Sequence, residues 1–241
     1  LQLNDVKNLS RLLTYSNIWN KLENIQEIEM ISEKAKEISN FFIANQNTFV
    51  SNSLFISFHK VSAKKNATLF SIPLQRDYLK EDNDIVSLFA DDITTSKYDN
   101  RTIYSSKSLD KHFSFKHDIL FYSDNTMLIT DAIRTSNENT DDLFINPSFS
   151  DCYKTISKSA DINLMLNYNN LFILSNIFTN NKKEITHFSE WIATDIRLKS
   201  NAILASGLSA LNSEVNNFTD IFNSQKNQRL NILDIIPKNT T

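Results

Sequence analysis

One glycine in 241 residues, Gly207, is the constraint that shapes everything else this chain can build. Average usage is about 7%. Glycine is the default residue where backbone turns left-handed or must lie close to a ligand. Walker loops, Gly-rich dinucleotide turns and G-x-S-x-G nucleophile elbows need it for steric reasons, so those three chemistries are excluded. The turn-making role passes to asparagine, the next residue to tolerate that backbone conformation.

The rest of the composition describes a folded chain. Hydrophobic residues make up 41%, 17 of them Phe, and a chain of this size buries roughly 70–75% of its unfolded surface. The net charge is −3. Lys64-Lys65 and Lys182-Lys183 are isolated pairs that read as solvated turns, not as the basic stripe a phosphate backbone requires, so no nucleic-acid partner is expected. No apolar run approaches the ~20 residues needed to span a bilayer as a helix. The chain begins at Leu1 without Met and reads as the mature part of something longer. Its one cysteine, Cys152, cannot form an internal disulfide and reads as a small buried apolar residue. There is no CxxC or HExxH, so the familiar zinc patterns are missing.

Periodicity sets out the elements. Leu9, Leu12, Leu13, Ile18, Trp19 and Leu22, then Ala35, Ile38, Phe41 and Phe42, predict helix over 5–45 with a break at Asn20 or Asn24. Residues 54–75 read as a hairpin around Lys64-Lys65-Asn66, with Pro73 marking an edge or a strand end. Helix is expected over 77–90 and strand over 101–109. A second hairpin is expected to pair 118–122 with 126–130 across Ser123-Asp124-Asn125, followed by a short helix capped by Thr130 or Asp131. Residues 137–142 read as a loop, 148–157 as a helix with Phe149, Cys152, Tyr153 and Ile156 on one face, and 162–168 as a strand. Asn169 or Asn170 then caps an apolar helix. Finally, 191–237 reads as strand, the two-residue turn Ser200-Asn201, a return strand, a helix over 215–222 and an extended run over 229–236. Gly207 within the return strand predicts a bulge or a crowded backbone. Hairpins interspersed with helices, without a βαβ rhythm, give an α+β fold: a mainly antiparallel sheet of hairpins with helices packed on one side. Residues 1–234 make one domain, and 235–241 begin a following module or linker.

No catalytic, cofactor-binding or metal-ligating residue is assigned. Asp82, Asp84, Asp91 and Asp92 lack the order and the glycine of a calcium loop and read as helix-end and loop carboxylates. His59 reads as a strand residue without a second ligand. His112 and His117 would fall on opposite faces of one strand, which argues against shared ligation. His187 and Glu190 suit capping or hydrogen bonding. The sequons at Asn8, Asn66, Asn100, Asn217 and Asn239 read as chance in an Asn-rich chain.

Trp191, Asp195, Leu204, Gly207, Phe222, Gln225, Pro237 and Thr240 follow one another in an order that resembles a family of uncharacterised Bacteroidota envelope proteins, often lipoproteins. Trp19 and Leu22 in SNIWNKL, Ser57 and His59 in LFISFHK, and the segments IYSSKSL and ILFYSDN extend the likeness over most of the chain. The resemblance implies an exported protein, periplasmic or outer-membrane-anchored through an N-terminal lipid, whose partners are other envelope proteins. It carries no catalytic residues. The expected function is therefore that of a non-enzymatic scaffold or accessory subunit of an envelope complex. The alternative is a periplasmic small-molecule or glycan-binding module, or an enzyme with a site outside the known motifs; Trp19, Trp191 and seven Tyr favour it. No small molecule and no cofactor is assigned.

Overall fold

The structure, a computed structural model, describes residues 1–22, 26–46, 48–49, 52–62, 65–74, 81–137, 143–168, 170 and 189–210. The expectations for Asn24, Lys64, the end of the 137–142 loop, the helix after Asn170, Lys182-Lys183, His187, 215–222, 229–236 and 235–241 lie outside these residues. So do Phe222, Gln225, Pro237 and Thr240 and the sequons at Asn217 and Asn239.

The α+β architecture is as the sequence indicates. Among the described residues ten strands form one antiparallel sheet in the order β10-β9-β8-β1-β2-β3-β7-β6-β5-β4. The strands are β1 (Gln2–Leu3), β2 (Leu54–Lys60), β3 (Asn66–Pro73), β4 (Ile93–Tyr98), β5 (Arg101–Ser106), β6 (Lys111–Lys116), β7 (Ile119–Ser123), β8 (Ile162–Asn167), β9 (Trp191–Leu198) and β10 (Ile203–Ala210). The two-residue β1 joins the halves, pairing Leu3 with Leu54 on one side and with Ile162 on the other. Pro73 ends β3, an interior strand, so it marks a strand end and not an edge.

Helices cover both faces, which corrects the one-sided packing read from the sequence. The helices are α1 (Val6–Tyr15), α2 (Asn17–Leu22), α3 (Gln26–Ala44), α4 (Asp82–Val86), α5 (Thr126–Asn137) and α6 (Pro147–Lys154). Leu3, Leu54, Ile72, Tyr104, Phe113, Phe115, Leu120 and Leu198 share one face of the sheet and pack with Val6, Leu9, Leu13, Ala35, Phe42, Ile85 and Val86. The opposite face gives Ile103, which packs with Ile129 and Ile133 of α5, and Trp191, which meets Phe149 of α6. Much of the phenylalanine is used here: Phe41, Phe42, Phe49, Phe89, Phe113 and Tyr122 form a chain of ring contacts at centroid distances of 4.7–6.2 Å. Each such pair adds about 0.5–1.5 kcal/mol beyond its burial.

Local chemistry decides where the reading of the chain fails. The first helical break falls at Ser16, not Asn20. Ser16 N donates to Leu13 O (3.1 Å) to close α1, and its Oγ accepts from Trp19 N (3.2 Å) to open α2. Trp19 then fastens this corner to α3 by donating from Nε1 to Ser32 Oγ (2.7 Å). Helix is described only over Asp82–Val86 within the 77–90 expectation, with 75–80 outside the described residues. The strand β4 is not among the elements expected from the sequence. It pairs with β5 across Asp99-Asn100, both at positive φ (46° and 58°), the pattern that type I′ hairpins usually fill with Asn-Gly. The strand expected over 101–109 stops at Ser106, and Asp110 (φ 51°) turns the chain into β6. Residues 119–123 pair with β6 across His117-Asp118, His117 sitting at φ 49°, and not with 126–130. Residues 126–130 open α5 instead: Asn125 Oδ1 accepts from Met127 N (2.9 Å), so the cap lies before Thr126 and not at Thr130 or Asp131. Helix α6 begins at Pro147, capped by Asn146, one residue ahead of the expected start.

Candidate interaction surface

The start of α6 builds the most distinctive surface among the described residues. A 3-10 turn, Leu143–Ile145, is closed by Asn146 N donating to Leu143 O (3.1 Å). Asn146 Oδ1 then accepts from Phe149 N (2.8 Å) and caps α6, with Pro147 setting the helical φ at its first position. The carboxylate of Glu190 ties this corner to the head of β9: Asn146 Nδ2 and Ser148 Oγ donate to its two oxygens at 2.8 and 2.7 Å. Glu190 has the hydrogen-bonded role expected of it.

The turn holds three consecutive large apolar side chains in solvent. Leu143 is 54% exposed, Phe144 50% and Ile145 68%, with Tyr153 beside them at 37%. Their base is buried. Phe144 meets Tyr153 edge-on at 4.8 Å and Phe149 at 5.3 Å, and Phe149 meets Trp191 at 4.9 Å, so a line of rings runs from surface to sheet. Cys152 closes the underside at 1% exposure, its Sγ 3.4 Å from Trp191 O and 3.7 Å from Leu208 O. Burial pushes its thiol pKa up, which suits the structural role read from the sequence and not a nucleophile. The exposed Asp151–Lys154 pair (3.0 Å) on the same helix places charge beside the apolar top. A packed base, an apolar top and a charged margin are the anatomy of an interface. The sequence carries the signal as LFI ahead of Asn-Pro, a cluster too short for any periodicity.

The chemistry-bearing side chains are dispersed. His112 lies in β6 between two hydroxyls, Ser105 Oγ at 2.8 Å from Nδ1 and Thr126 Oγ1 at 2.9 Å from Nε2. Both ring nitrogens are taken, which leaves neither for the orienting carboxylate of a nucleophilic triad. His117 stands in the β6–β7 turn, so the two histidines do not share a strand as expected. His59 Nε2 is 2.8 Å from Ser57 Oγ, and partial burial lowers its pKa while Asp131 pulls the other way. Asp92 accepts from Ser106 Oγ (2.6 Å), Ser108 N (2.7 Å) and Ser108 Oγ (2.9 Å), which holds its carboxyl down to about 2. It fastens the β5–β6 turn and is a loop carboxylate, as read. Among the described residues no group of three His, Cys, Asp or Glu side chains is placed to hold a metal ion.

Asp195 and Gly207, two residues of the envelope-family likeness, have structural duties. Asp195 accepts from Ser157 N (3.0 and 3.2 Å) and from Asn163 Nδ2 (2.7 Å), which locks the α6–β8 connection onto the sheet. At Gly207 a Cβ would stand 2.0 Å from Ala193 O. The eight-pair register with β9 is unbroken, so crowding and not a bulge explains the glycine. Among the described residues no helix is long and apolar enough to cross a membrane. Comparison with known proteins finds no matching family model, no matching curated protein and no matching solved structure.

Proposed function

We propose that this chain is a non-enzymatic, exported domain that serves as a scaffold or accessory subunit of a bacterial cell-envelope protein complex. The observation that carries the binding role is the Leu143-Phe144-Ile145 platform, solvent-facing above, with Phe144 packed on buried Phe149 below. Exposing three large apolar side chains in a row is costly unless something covers them. A rigid base lowers the entropy lost when it does. The envelope location rests on the likeness around Trp191, Asp195 and Gly207. Leu143, Phe144 and Ile145 are all apolar side chains, which suits a protein partner better than a glycan.

The test is a photo-reactive residue at Ile145, illuminated in intact cells of the source organism. The expected result is one discrete adduct with another envelope protein, lost in Phe144→Asp while the melting temperature is unchanged. No adduct, or one indifferent to Phe144→Asp, overturns the reading. The second reading, an enzyme with a site outside the known motifs, has only the Ser105 Oγ–His112 Nδ1 contact (2.8 Å) to start from, without an orienting carboxylate. Labelling of Ser105 by a fluorophosphonate, lost in His112→Ala, would establish that reading instead.

A further inference from the structure

Among the described residues the outer strands of the sheet are β4 and β10, and they are guarded very differently. Strand β4 reads ITTSKY; it carries Lys97 and pairs Tyr98 with Arg101. Charge on an edge is the usual guard against unwanted pairing. Strand β10 reads ILASGLSA, eight residues without a charge. Ile203 is 38% exposed, Leu204 51% and Leu208 41%. Its unbroken register with β9 means that no bulge twists the edge away. A long, flat, uncharged edge is a template for another strand.

The spacing of β10 specifies which strand. Lys199 N donates to Ala202 O (2.8 Å) and makes the first hydrogen-bonded pair of the β9–β10 hairpin. Antiparallel pairs alternate, so Leu204, Ser206 and Leu208 bond inward, while the backbone groups of Ile203, Ala205, Gly207 and Ser209 point outward. Leu204 and Leu208 lie on one face, two residues either side of Ser206. A second copy of β10, antiparallel about a two-fold axis at Ser206, sets Ala205 against Gly207 and Ile203 against Ser209. All of these have outward-pointing groups, so each pair exchanges both hydrogen bonds. The same axis sets Leu204 against Leu208 twice, in the close non-bonded pairs with Cα atoms about 4.5 Å apart. Slipping by two residues either way would set each leucine against a serine or an alanine. The edge is complementary to itself in one register.

We infer that β10 is the seam of an isologous dimer, in which two copies of the chain join their sheets edge to edge around Ser206. The inference is independent of the envelope reading and uses a different surface from the Leu143 platform.

Sedimentation of the full chain tests it. The wild type is expected at twice its 27.8 kDa mass. Leu204→Lys alone and Leu208→Glu alone each place a charge against a leucine of the other copy and should halve the sedimenting mass. The double variant Leu204→Lys with Leu208→Glu pairs Lys with Glu twice across the axis and should restore the dimer. Circular dichroism confirms that each variant is folded. A wild type that sediments at the single-chain mass, a dimer that survives both single variants, or a double variant that stays monomeric overturns the proposal.

Discussion

Asn163 is the residue whose replacement most directly tests how the two halves of the sheet are held. It is 0% exposed on β8. Its Nδ2 donates to Asp195 Oδ1 (2.7 Å) and Ser157 O (3.1 Å), and its Oδ1 accepts from Asn4 Nδ2 (2.6 Å). Asn163→Asp keeps the shape but puts a carboxylate oxygen where the amide donor stood, facing both Asp195 Oδ1 and the Ser157 carbonyl at hydrogen-bond distance. Two carboxylates this close cannot both be ionised, and such pairs split their pKa values by about 3 units. Each unit by which the new carboxyl lies above its unfolded value costs about 1.4 kcal/mol at neutral pH, and with the buried donor lost the variant should be destabilised there by about 1–3 kcal/mol. The new carboxyl would have a folded-state pKa above its unfolded value of about 3.9, so the variant keeps this part of its stability below that value. It loses stability as the pH rises through the raised folded value. Urea denaturation of variant and wild type at pH about 4 and about 7.5 measures the difference directly. The deficit should be smaller in acid than at neutrality, the part that remains in acid being the second donor that a single carboxyl proton cannot replace. Asn163→Asp with Asp195→Asn swaps the two groups, leaves one carboxylate, and should recover most of the loss. A deficit that does not depend on pH, or a swap that recovers nothing, refutes the argument.

Two further outcomes follow from single contacts. Gly207→Ala puts a methyl 2.0 Å from Ala193 O and 2.9 Å from Thr194 Cα, both backbone atoms, so a strand must move; the expected cost is about 1–3 kcal/mol, and an unchanged melting temperature contradicts the crowding. Asp92 should titrate at about 2 by NMR, and Ser106→Ala should move it up toward the ordinary carboxylate range. Because its folded value lies below its unfolded one, its stabilisation is complete above the unfolded value and lost as the pH falls toward 2. A midpoint indifferent to Ser106→Ala would show that other groups hold it down.

The parts of the fold legible in the sequence are those in which side-chain period and turn chemistry agree. In β9, Ile192, Thr194, Ile196 and Leu198 alternate with Trp191, Ala193, Asp195 and Arg197, and Ser200-Asn201 follows, so the hairpin is readable. The β2–β3 hairpin and α6 are readable for the same reason. Strand β4 is not. Five of its six residues are exposed, so there was no buried face to leave an alternating trace. The start of α5 misleads for the opposite reason: TMLIT is a short run of apolar and β-branched residues, which period alone cannot assign to helix or strand. The deciding group is the Asn125 side chain, whose role shows only in its hydrogen bond to Met127 N. The packing of helices on both faces was equally hidden. A helix's pattern says which of its own faces is buried, not which side of a sheet receives it. The Leu143 platform was missed because exposure, its defining property, is not written in residue type.

The lone glycine connects these observations. Four described residues sit at positive φ: Asp99, Asn100, Asp110 and His117, and none is glycine. At ordinary turns, then, this chain accepts the modest strain of Asp, Asn and His in left-handed backbone. Gly207 is not at positive φ. What it supplies is the absence of a Cβ where β10 lies against the Ala193 carbonyl. A chain that dispenses with glycine at its tightest turns but keeps one in the middle of its uncharged outer strand is constrained there by space. The close approach of β10 to β9 sets where the outward hydrogen-bonding groups of that edge stand. A side chain at 207 that pushes β10 outward should therefore disturb pairing at the seam as well as the stability of the fold.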